Sequence, residues 1–126
     1  MILSFALAIL AAGQTPQAFT AQQSQDIGCA AVLSIIAEEQ RRNAPGATDY
    51  PNVQRAAGRW TIIVTDRVAA ETRQSAETVR AAIWDAVKAE QEAVRDLANP
   101  KAYVDKRMAV CLPVMRAGLQ TDTPDK

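Results

Sequence analysis

The chain has 126 residues, 14 Lys plus Arg against 14 Asp plus Glu, and no His. A zero formal charge, spread almost evenly along the chain, gives the surface as a whole no attraction for nucleic acid or an anionic membrane. The missing imidazole removes the commonest neutral-pH base, the usual haem ligand and the Glu-x-x-His pattern of helical di-iron sites.

The run from Ile2 to Gly13 carries no charged side chain and leads into Gln14-Thr15-Pro16-Gln17. This predicts the apolar core of a signal peptide over residues 1–13, with Ala11 and Gly13 as the small residues at the exit. The run is shorter than the roughly 20 residues of a membrane-spanning helix, so no stable span is expected once it is cleaved. Residues 14–126 are then one helical domain in the periplasm or outside the cell, ending in a polar tail from about residue 120.

Phe19-Thr20-Ala21-Gln22-Gln23 reads as a helix start. Thr20 is placed to cap, Gln23 to complete a capping box, and Phe19 to act as a hydrophobic staple. The same stretch resembles the Leu-Thr-x-x-Gln element of helical periplasmic stress chaperones, with Phe in place of Leu and no second copy. That resemblance implies a client-binding role as an alternative function and does not assign the chain to the family.

The first helix is expected to run to about Asn43, where Asn43-Ala44-Pro45-Gly46 stops it. Cys29, Val32, Leu33 and Ile36 share one face, while Ile27 and Ile35 fall off it. Residues 44–52 form a loop in which Tyr50-Pro51 is placed to seat an aromatic ring at the edge of the bundle.

Val53, Ala57, Trp60, Val64 and Val68 recur at helical spacing, so a helix with Trp60 inward is preferred over a strand through Thr61-Ile62-Ile63-Val64-Thr65. A break is expected between Glu71 and Glu77, with Ser75 as the next cap. Without it, one long rod would leave three long helices in place of four. Val79, Ile83, Val87, Val94 and Leu97 mark the inward side of the following segment. Asp85 with Lys88, Lys88 with Glu92, and Glu92 with Arg95 have the offsets of exposed ion pairs.

Asn99-Pro100 supplies a cap and a first helical residue. The last helix then carries Val104, Met108, Cys111 and Met115 on one face. Pro113 is expected either to bend it or to split off a short terminal helix, and Gly118 is a candidate end.

The fold class that follows is all-α: a small four-helix bundle stapled by one disulfide, Cys29 to Cys111, between its first and last helices. The two cysteines lie 82 positions apart on apolar stripes, with no Cys-x-x-Cys, and export would favour their oxidation. Isolated glycines at 46, 58 and 118 make no phosphate loop.

No catalytic residue, metal ligand or cofactor site is assigned. Glu38/Glu39, Glu71/Glu77 and Glu90/Glu92 are the only carboxylate pairs singled out, and each fits a solvated helical face. An enzyme using them is a disfavoured alternative. Trp84 stands out because it shares a charged helix side with Arg80, Lys88 and Gln91, and Trp and Arg are enriched at interface anchors. The expected function is binding or scaffolding through protein contacts, with another envelope protein or a second copy as partner and no nucleic acid.

Overall fold

The computed structural model describes residues 19–121. The signal peptide expected over residues 1–13 and the end of the polar tail, residues 122–126, lie outside the described residues. Those described form four α-helices, α1 (Ala21–Arg41), α2 (Gln54–Thr72), α3 (Ala76–Arg95) and α4 (Pro100–Thr121), with a short 3-10 turn at Ala47–Asp49 between the first two. A disulfide joins Cys29 of α1 to Cys111 of α4.

The start of α1 is the expected capping box. Thr20 Oγ1 accepts from the Gln23 backbone N–H at 3.1 Å, and Gln23 Oε1 accepts from the Thr20 N–H at 3.0 Å. Both bonds satisfy backbone donors that a helix start leaves orphaned. The helix stops at Arg41, and Asn43 takes the left-handed conformation at φ 54°. The break after α2 also falls inside the expected window: Arg73 is left-handed at φ 55°, and Ser75 Oγ caps α3 by accepting from the Thr78 N–H at 3.1 Å. Asn99 Oδ1 accepts from the Ala102 N–H at the start of α4.

α1 is the central element. Cys29, Ala30, Ala31, Val32 and Leu33 are all buried in succession. At about 3.6 residues per turn, such a run covers the whole circumference of the helix, so no side of that turn faces water. α2, α3 and α4 pack around it, whereas α3 and α4 touch each other least. This explains why Ile27, off the expected face, is nevertheless buried. At roughly 1.5–3 kcal/mol for each large apolar side chain fully removed from water, Ile27, Val32, Leu33 and Ile36 give α1 a large share of the driving force that gathers the other three.

α2 turns Trp60, Val64 and Val68 into this core, and Thr61, Thr65 and Thr72 each donate their hydroxyl to the carbonyl four residues back. Those bonds let β-branched, polar residues sit inside a helix. The indole N–H of Trp60 is buried without a hydrogen-bond partner among the described residues and faces the bare Cα of Gly118, where a Cβ would collide with it.

Three expectations need correction. Gly118 does not end α4, which continues through Pro113 to Thr121 as one helix; the glycine is there because the Trp60 ring occupies the space of a side chain. Leu97 is not on the inward side: it lies past the end of α3 and is exposed. Lys88 pairs with Asp85 at 3.6 Å and not with Glu92, whose carboxylate is held by Arg95 at 3.0 Å.

Candidate interaction groove

Because α3 and α4 diverge over α1, a groove of about 360 Å³ opens between them. Its size falls within the range of small-ligand and side-chain pockets. Val32, Ile35 and Ile36 of α1 form its floor, Val87 and Val94 of α3 one wall, and Val104 of α4 the other.

Polar side chains frame this apolar lining. Glu90 of α3, with 15% of its side chain exposed, accepts at Oε1 from Arg107 Nε at 3.0 Å and pairs with Nη2 at 2.8 Å. Its Oε2 accepts from the Tyr103 hydroxyl at 2.9 Å. Burial, then the bond to Glu90, raises the Tyr103 phenol above its ordinary value, while Arg107 pulls the other way. Tyr103 therefore stays a neutral donor, and the three groups form a closed bracket across the α3–α4 gap. Such a bracket holds two helices together and engages all three of its polar groups with one another.

At the end of α1, Glu38 is engaged by Arg41 and lies 3.7 Å from Arg42, so its carboxyl is held below the usual range by the Arg41 hydrogen bond first of all. Glu39 is half-buried, lines the groove, and has no ion-pair partner among the described residues. The adjoining loop is fixed by Gln40: its amide donates to the Ala47 and Pro51 carbonyls at 3.2 and 2.8 Å and accepts from the Val53 N–H at 2.9 Å. Tyr50 reaches from that loop to α4, donating to Asp105 Oδ1 at 2.6 Å.

The residues singled out from the sequence divide. Trp84, 62% exposed, and Gln91 both line the groove. Arg80 and Lys88 are exposed on α3 outside its lining, Lys88 being paired with Asp85. Glu90, Tyr103, Arg107, Glu39 and Arg42 were missed as groove residues. A signal existed for two of them: Glu90 continues the spacing Ile83, Val87, Glu90, Val94, and Arg107 sits between Val104 and Cys111 on the apolar side of α4. A charge in an apolar register is the mark of a paired, half-buried group.

A second ion pair, buried on its carboxylate side, lies between α1 and α2. Asp26, with 4% of its side chain exposed, is held by Arg67 at 2.5 Å and accepts from the Gln22 amide at 3.1 Å. Among the described residues no cluster of His, Cys, Asp or Glu is placed to hold a metal ion, and no helix is long and apolar enough to cross a membrane. In comparison with known proteins, no family model, no curated protein and no solved structure matches the chain.

Proposed function

We propose that this protein is a small exported binding or scaffold protein that works through protein–protein contacts and performs no catalysis, with the α1–α3–α4 groove as its contact surface. The observation that carries this reading is an apolar trough with a largely exposed Trp84 beside it. Half-buried Ile35, Val94 and Val104 next to an aromatic anchor have the composition of an interface core. The polar bracket across it supports the same reading, because Glu90, Arg107 and Tyr103 satisfy one another. A disulfide buried between α1 and α4 fits a non-reducing compartment, which supports a periplasmic or extracellular location.

A benzophenone amino acid at Gln91, in the groove, and another at Ile62, exposed on α2, test the contact surface. Irradiation in an extract of the native envelope should give a discrete cross-linked product from position 91 and none from position 62. Equal labelling from both, or none from either, overturns the groove as the contact surface.

A further inference from the structure

We infer that residues 88–107 form a lid over the groove, which opens as one unit while the rest of the protein stays folded, and that Glu90, Tyr103 and Arg107 are its latch. The inference stands on packing and holds whether or not the groove meets a partner protein.

Burial marks the limits of the lid. α3 is held to the core by Val79, Ile83 and Val87, and α4 by Met108, Met115 and the bond from Cys111 to Cys29. Between Val87 and Met108 no residue is buried. That stretch takes in the last turns of α3, the connection, and the first turns of α4. Its half-buried members are Glu90, Val94, Tyr103, Val104 and Arg107, and every one of them lines the groove. The inward side of the segment therefore covers the groove and little else.

Polar ties close the segment on itself. Glu90 accepts from Tyr103 and Arg107, Lys101 donates to Asp105, and Asn99 caps the start of α4. Among the described residues, one side-chain hydrogen bond leaves this stretch for the rest of the chain, from Tyr50 to Asp105. Few buried contacts and bonds that stay local are the properties of a unit that opens separately.

The latch makes the opening cooperative. A helical segment of two turns is unstable by itself in water, so each limb of the lid depends on what it packs against. α3 and α4 touch least of all the helix pairs, which leaves the bracket as their main tie. Once Glu90 withdraws, Arg107 and Tyr103 lose their acceptor together. Opening then uncovers Val32, Ile36 and Val87, which lie buried along the groove in the closed form.

Amide hydrogen exchange on the intact, oxidised protein, followed residue by residue in rising urea, tests the lid. Amides of residues 91–95 and 104–107 should exchange at least about 100-fold faster than those of residues 29–33 and depend little on urea. Glu90→Ala should speed both lid groups together by about tenfold, the loss of a hydrogen-bonded charge, and Tyr103→Phe should speed them less. Val64→Ala, a core change on α2, should speed residues 29–33 and leave the lid amides as they were, because it acts only when the whole fold opens. Lid amides as slow and as urea-dependent as residues 29–33, or an equal response of both sets to Val64→Ala, overturn the lid. Unchanged lid amides in Glu90→Ala, or a response in α3 without one in α4, overturn the latch.

Discussion

The guanidinium of Arg107 lies over the bare Cα of Gly28. A Cβ built at position 28 would stand 3.2 Å from Arg107 Nη2, and the next residue, Cys29, is bonded to Cys111 one turn along α4. The missing side chain at 28 lets Arg107 reach past α1 to Glu90. In this way the disulfide, the glycine and the α3–α4 bracket belong to one assembly on the same turn of α1.

Three glycines inside helices should respond to Ala in a graded way. Gly58 faces open space, so Gly58→Ala should stabilise the protein by about 0.8–1 kcal/mol from helix propensity alone. At Gly28 the same gain is offset by displacing a long, partly exposed side chain, and the net change should stay within about 1 kcal/mol of zero. Gly118→Ala drives a methyl group into a fully buried indole and should cost about 1–3 kcal/mol. Urea unfolding of the three variants gives the order directly, and an equal response at 58 and 118 would contradict the packing of Trp60.

The Cys29–Cys111 bond closes a loop over a sequence separation of 82. On the chain-entropy model it stabilises the fold by about 4–5 kcal/mol against the reduced unfolded chain. Reduction should move the urea midpoint far down, and an unchanged midpoint would mean that the staple contributes nothing.

Asp26 and Arg67 should behave as a coupled pair. Arg67→Met leaves a carboxylate that is 96% buried, as its 4% exposure implies, with only the Gln22 amide to hold it. Full burial of both partners would make that loss about 3–5 kcal/mol; because Arg67 is 40% exposed, about 2–3 kcal/mol is expected. Replacing both residues, Asp26→Leu with Arg67→Met, should recover most of the loss. A double-mutant cycle with no coupling would sink this account.

The two tyrosines of the chain give an alkaline signature. Burial and a carboxylate acceptor raise both phenols above the ordinary value of 10.0, with Asp105 acting on Tyr50 and Glu90 on Tyr103. A raised folded-state value means that the folded protein keeps protons the unfolded chain has lost. The stability they contribute is fully present below about pH 10 and falls as pH rises beyond it. Phenolate absorbance should therefore lag behind that of a free tyrosine and appear as the fold opens. Tyr50→Phe and Tyr103→Phe should each flatten the alkaline loss of stability. Ordinary titration of both phenols in the folded protein would count against their hydrogen bonds.

The helices, their caps and the staple were legible because each depends on local chemistry: Thr20 with Gln23, Ser75, Asn99-Pro100, and cysteines on apolar stripes. The groove was only half legible. Trp84 and Gln91 announce themselves as an aromatic and an amide on a polar helix side. By contrast, the divergence of α3 from α4 depends on how three helices share α1, and no single periodicity records that. Gly118 misled for a related reason: glycine marks a helix end in isolation, and here it marks a ring from α2 pressed against α4.

The central place of α1 also bears on the order in which the chain acquires its shape. α1 is the first of the four helices to be synthesised and touches all the later ones. Its fully encircled turn at residues 29–33 cannot lose all contact with water until α4 arrives. Contacts between sequence-distant elements form slowly because a long loop must close first. α1 with α2 should therefore collapse early, and the sulfur bond should form late as a seal on a structure already nearly complete. Until then α1 presents an uncovered apolar face, so a chain stopped before α4 should be sticky and short-lived, and the last helix to emerge determines whether the first is ever fully buried.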